Sequence, residues 1–270
     1  MTAGLKGFFT FLSDVFHDRT ILWRLALNDL KAKFASSFLG IIWAFIQPLV
    51  TILVFWFVFE VGFRNPPVSN VPFIVWFVPA YLSWSFFSEA LISGTNCLME
   101  YSYLVKKVNF RVSVIPVVKI MSSAFVHLGF ILFIFLILFV YELPCTPHNL
   151  QVIYYFFCLC FLLLGLCWLL AAVAPFVKDT TNIVNVFIQI GFWMTPILWD
   201  PDTMNPLVRN ILKLNPMFYI CRGYRDCFVD HIWFWQRGYT NVFFWIETIV
   251  LFLMGAYLFK KLRPQFADVL

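Results

Sequence analysis

Long apolar runs separated by short basic stretches dominate the pattern of this chain. A bilayer core about 30 Å thick needs roughly 20 apolar residues as helix. Six stretches meet or approach that length, at residues 38–63, 71–91, 116–141, 152–177, 183–199 and 242–259. The fifth is short and carries Pro196, which predicts a kinked or truncated span. Ahead of them, Leu5, Phe8, Phe9, Leu12, Val15 and Phe16 recur at helical spacing opposite Lys6, Thr10, Ser13, Asp14 and His17. Such a segment either lies in the membrane interface or packs on the protein's own surface.

Between the fifth and sixth runs the pattern changes. Asn205-Pro206 and Asn215-Pro216 each place Asn at an N-cap and Pro at the first helical position. The first pair opens "PLVRNILKL" and the second "PMFYICRGYRDCFV". Apolar helices this short are typical of re-entrant or interfacial segments. Two in succession predict a helical hairpin over about residues 203–230. In its second helix Arg222 and Arg225 share a face, and Asp226 lies four residues after Arg222. Two readings stand: the arginines bind anionic groups such as phosphates or sugar acids, or they anchor the helix, with an Arg222–Asp226 pair satisfying it.

Composition supports the membrane reading. Of 270 residues, 62% are hydrophobic and 12% charged, against about 25% charged in soluble domains. The net charge of +5 does not indicate nucleic acid, because the basic residues flank the apolar runs. Lys6, Arg19, Arg24, Lys31 and Lys33 precede the first span, Lys106, Lys107 and Arg111 follow the second, Lys178 follows the fourth, and Lys260, Lys261 and Arg263 follow the last. The opposite side has only Arg64 in its first connection, and its long last connection weighs less in such a count. Both termini are expected in the cytoplasm and the hairpin outside. No cleavable signal peptide is expected, since the first apolar run is short and broken by Asp14.

Candidate chemistry is sparse. Glu89 and His127 are the notable ionisable residues at membrane depth, and His127 is expected to be a hydrogen-bonded packing residue. Seven cysteines form no CxxC pair and no metal-ligand spacing, and there is no Walker A loop, HExxH pair or nucleophile elbow. No catalytic residue and no metal site are therefore expected, and ATP cannot be used by this chain alone. A conduit or carrier is the better class than an enzyme.

Taken in order, "LWRLALNDLKAKFASSFLGIIWAFIQPL", "LVKKVNFRVSVIPVV" and "VKDTTNIVNVFIQIGFWMTPILW", with the Asn-Pro and Arg features, make the chain resemble a known family. It is the membrane subunit of type-2 ATP-binding-cassette exporters, in the branch that moves O-antigen, capsular polysaccharide or teichoic acid. One departure is Asn109-Phe110-Arg111, where the family often has an aromatic-proline pair. The resemblance implies an all-α integral membrane protein of a bacterial cytoplasmic membrane. It would comprise a cytoplasmic amphipathic segment (1–36) and a six-helix transmembrane domain (37–270). It implies a homodimer on two copies of a cytoplasmic ATP-binding subunit, which carries the ATP and Mg; this chain holds no cofactor. It places ATPase coupling at Glu100, Lys106, Lys107 and Arg111, with a second contact at Lys178 and Asp179. It makes Asn215, Pro216, Arg222, Arg225 and Asp226 part of an extracellular gate. Aromatic faces suit a sugar chain, and Trp43, Phe45, Phe192 and Trp193 are the candidate path residues for a lipid-linked polysaccharide. The alternatives are an exporter of drugs or simple lipids with this architecture, and a membrane-embedded glycan- or lipid-modifying enzyme.

Overall fold

The computed structural model describes residues 19–35, 37–64, 66–107 and 110–270. The amphipathic pattern at Leu5–Phe16 and Asn109 of the departing motif lie outside the described residues. Regular secondary structure among the described residues is helical apart from one isolated bridge between Val68 and Val71. Helix α1 (Arg19–Lys33) precedes α2 (Gly40–Gly62), α3 (Phe73–Glu100), the single turn α4 (Ser102–Val105), α5 (Val114–Val140) and α6 (Pro147–Val173). Then come α7 (Thr180–Met194), α8 (Pro206–Leu212), α9 (Pro216–Arg225), α10 (Tyr239–Leu262) and a last turn, α11 (Phe266–Val269).

Among the described residues, five helices are long and apolar enough to cross a membrane: α2, α3, α5, α6 and the α10 stretch. The expected fifth span appears as α7, whose 15 residues reach about 22 Å at 1.5 Å each. It ends at Thr195-Pro196, where the backbone turns extended; proline disfavours the helical conformation in the residue before it.

Helix α3 is the central post, with most of its apolar length buried. Its first turn lacks a side-chain cap of its own, and Glu60 at the end of α2 accepts from Ile74 N at 3.3 Å instead. A carboxylate there also suits the positive end of the helix dipole. Helices α6 and α10 approach closely because both are glycine at the crossing: a Cβ on Gly255 would lie 2.1 Å from the Gly165 carbonyl oxygen. Without water to drive association at membrane depth, such close backbone packing is a main source of helix–helix attraction.

The two Asn-Pro helices form as the sequence predicts. Asn205 accepts from Leu207 N at 2.9 Å and Asn215 from Met217 N at 3.0 Å. They differ sharply in burial. Helix α8 buries no residue, whereas α9 buries eight of its ten. Gly223 makes this possible, since a Cβ there would sit 2.0 Å from the Tyr155 ring. From α9, Tyr224 hydrogen-bonds His127 at 2.8 Å, midway along α5. His127 stacks on Phe86 and Phe156, which also stack on each other, so it is the packing residue the sequence leads one to expect.

Candidate functional site

A cavity of about 800 Å³ opens between α1, α2, α3, α5 and α7. Its walls carry two chemistries. Trp43, Tyr81, Trp84, Phe86, Phe192 and Trp193 offer aromatic surface, and Gln47, Thr51, Ser85, Ser88 and Gln189 add amides and hydroxyls. Trp84 is buried and fixed by Phe87 and Phe192. Trp43 and Trp193 are 45% and 66% exposed, so they are free to meet a ligand. Of the four expected path residues, Trp43, Phe192 and Trp193 line this space and Phe45 does not. Phe45 packs against Phe130 at 5.4 Å, over Gly129. Two residues along the helix from Trp43, it projects from a different face.

At one end the cavity meets Asp29, Lys33 and Glu89, with Lys33 and Glu89 joined as an ion pair. These three also line an adjoining cavity of about 560 Å³ that extends to Asn96, Glu100, Tyr101 and Lys119. There Lys119 donates to Asp29 at 2.6 Å and to Glu100 at 2.5 Å, while Tyr101 donates to Asp29 at 2.7 Å. Lys119 also stands 5.0 Å from the centre of the Tyr101 ring. The side chains of Lys119 and Asp29 are each only 7% exposed. Lys119 therefore does not snorkel to solvent: two carboxylates satisfy it inside the protein.

The expected coupling residues gather at this same end. Glu100 pairs with Lys119, and half its side chain remains exposed. Lys106 and Lys107 follow α4 and are exposed; Arg111 is partly buried. Lys178 and Asp179 are exposed in the turn before α7. Phe266 of α11 is buried against Phe259 and near Phe176, which brings the chain end beside that turn. Thr181 donates to Asn96 at 2.6 Å and ties the start of α7 to α3.

The hairpin residues separate. The Arg222–Asp226 pair does not form. Arg222 instead reaches Asp202 at 2.7 Å, and Arg209 reaches the same carboxylate at 3.1 Å. Burial alone would raise the Asp202 carboxyl, but the two guanidinium groups hold it below its ordinary value. Asp226 is fully buried and grips Arg237 through both carboxylate oxygens, with Nε at 2.7 Å. Arg225, 2% exposed, cannot present itself to a solvent-borne anion. Its three nitrogens donate to the carbonyls of Trp76, Pro196 and Ile197 at 3.1, 2.6 and 2.7 Å, and its head lies 3.4 Å over the Trp76 ring. Helical spacing places both arginines on a similar face, yet packing against α3 buries only the second. Asn215 reaches back to Thr195 at 2.8 Å, pinning the start of α9 to the end of α7.

A bundle of membrane-length helices around a broad aromatic and polar cavity is the architecture of a transport protein of the multi-helix permease class. Residues 20–229 match the ABC-2 type transporter family, and the chain belongs to it. Among its relatives is an O-antigen export system permease protein RfbA of Klebsiella pneumoniae, 27% identical over 256 residues and covering 90% of this chain and 92% of the relative. Another, of the same description from Myxococcus xanthus, is 28% identical over 260 residues, covering 94% and 97%.

Proposed function

We propose that this chain is the permease subunit of an ATP-driven exporter that moves a lipid-linked polysaccharide across the cytoplasmic membrane. The observation that carries the reading is a cavity lined by both aromatic rings and amide or hydroxyl groups. Sugars present C–H faces to rings and hydroxyls to polar groups, so such a wall can grip successive units without demanding one sugar order. A purely apolar drug would offer no hydrogen bond to the exposed amides of Gln47 and Gln189 on this wall. The names of the relatives point the same way.

The permease works as a homodimer. Helix α2 leaves Val50, Leu53, Val54 and Phe57 exposed, and α7 leaves Ile183, Val186, Phe187 and Ile190 exposed. A second copy across a two-fold axis would close the open side of the cavity and lengthen it into a path. Two copies of an ATP-binding subunit dock at the end that bears α4, Lys106, Lys107, Lys178 and Asp179. That end is cytoplasmic, the hairpin end is external, and both termini are cytoplasmic. ATP and Mg belong to the partner. Closing of the partner moves α4, and the Lys119 cluster passes that displacement to α1 and α5 beside the cavity. At the other end α8 is the hairpin leaf free to swing, while α9 is its fixed, re-entrant root.

The test is ATPase stimulation in proteoliposomes containing both subunits. A lipid-linked glycan should stimulate hydrolysis and hydrophobic drugs should not. Trp43→Ala and Trp193→Ala should each weaken the glycan effect by the about 0.5–1.5 kcal/mol of one aromatic contact. Equal stimulation by drugs, untouched by either substitution, would overturn the reading.

A further inference from the structure

A second cavity, of about 220 Å³, lies at the hairpin end between α9 and α10. It has room for about seven waters at 30 Å³ each, the size of a small headgroup rather than of a sugar chain. Its charges are unevenly matched. Arg237 is taken by Asp226, and Arg222 by Asp202. Lys213 donates only to neutral oxygens, of Asn210 at 3.1 Å and Tyr239 at 2.8 Å, and among the described residues no carboxylate pairs with it. Glu247, on the opposite wall, has its Oε2 buried with no hydrogen-bond partner. It stands eight residues into α10, about 12 Å below the first turn. An unmatched carboxylate at such depth is costly and calls for a cation.

One cavity thus holds an unmatched cation near its rim and an unmatched carboxylate on its wall. From these we infer that the pocket between α9 and α10 binds the zwitterionic headgroup of a phospholipid with a primary ammonium, phosphate on Lys213, ammonium on Glu247. Exposed apolar side chains such as Ile246 of α10 and Ile211 of α8 are available to the acyl chains of such a lipid. Such a lipid would wedge the root of the hairpin against the last helix. The inference does not rest on the identity of the cargo.

The experiment is native mass spectrometry of the full permease, purified with its ATP-binding partner and exchanged into phosphatidylethanolamine, phosphatidylcholine or phosphatidylglycerol. Phosphatidylethanolamine should be retained about tenfold over phosphatidylglycerol, the worth of one charge-assisted hydrogen bond. Phosphatidylcholine, whose quaternary ammonium has no proton to donate, should resemble phosphatidylglycerol. Glu247→Gln keeps the shape of the side chain and should abolish the preference, while Lys213→Ala should weaken retention of all three lipids. Equal retention of the three lipids by the unaltered chain, or a preference that survives Glu247→Gln, would overturn the assignment. The latter result would place the ammonium elsewhere than on Glu247.

Discussion

Two cations are buried at opposite ends of α3, Arg225 beside its first turn and Lys119 beside its last, and they are held in different ways. Arg225 has no carboxylate; its partners are three backbone carbonyls and the face of Trp76. Two of those carbonyls belong to the broken end of α7, where proline ends the helix and leaves acceptors without donors. The planar fork of arginine repairs that break and nails it to α3. Lys119 is bound by side chains alone, Asp29 from α1 and Glu100 from the end of α3, with Tyr101 completing the set. Side chains on three elements can follow one another through a displacement, whereas carbonyls on a broken helix cannot be exchanged. The hairpin end is built as a fixture and the opposite end as a joint.

The largest expected effect comes from breaking the fixture. Arg225→Ala leaves three buried carbonyls without donors, at about 1–3 kcal/mol each, a large part of the about 5–15 kcal/mol of a domain. Little folded protein should reach the membrane. Arg225→Lys should fare hardly better, because an ammonium cannot reproduce the fork or the stacking. The measurement is the yield of monodisperse protein and its melting temperature in detergent. A well-folded Arg225→Lys variant would show that charge, not geometry, holds this end.

The joint should break differently. Lys119→Met leaves Asp29 charged and buried, and losing one partner of a buried pair costs about 3–5 kcal/mol. Adding Asp29→Leu removes the orphan and should restore most of the melting temperature, with Glu100 returning to the solvent that already reaches it. If the joint transmits motion, the double variant should be stable, should hydrolyse ATP with its partner and should export poorly. Full export by the stable double variant would reduce the cluster to packing.

Much of this contrast could not be read along the chain. The helices, the Asn caps and the truncated fifth run follow from local spacing, and they appear as the sequence predicts. Long-range pairing follows from nothing local. Arg222, Arg225 and Asp226 invite an i,i+4 pair, yet each takes a partner 11 to 149 residues away, because α9 is clasped on two sides by α3 and α6. Phe45 and Trp43 look alike in the sequence, and only the packing of α2 on α5 sends one to the core and the other to the cavity. One signal was available for the joint. Leu22, Ala26, Asp29 and Leu30 fall on one helical face, and an acid on an otherwise apolar face asks for a buried cation. Glu247, in the middle of an apolar run, carried the same message.

The smallest expected effect sharpens the contrast inside the hairpin itself, between the buried α9 and the exposed α8. What binds the two leaves is Asp202, which receives Arg222 from α9 and Arg209 from α8. All three side chains touch solvent, so the clasp should be worth only about 0.2–1 kcal/mol. Its sign with pH is fixed by the lowered carboxyl. A carboxylate whose folded value lies below its unfolded one contributes fully above the unfolded value, about 3.9 for Asp, and loses that contribution as the pH falls through the folded value. A spin label at Val208, exposed on α8, should therefore keep its mobility from neutral pH to about pH 4 and gain mobility below it. Asp202→Asn should be mobile throughout, with no acid transition, while a label on α9 stays immobile in both proteins. Were the α8 label equally ordered in Asp202→Asn, the clasp would have no part in holding the outer leaf, and the division into a fixed root and a swinging leaf would rest on burial alone.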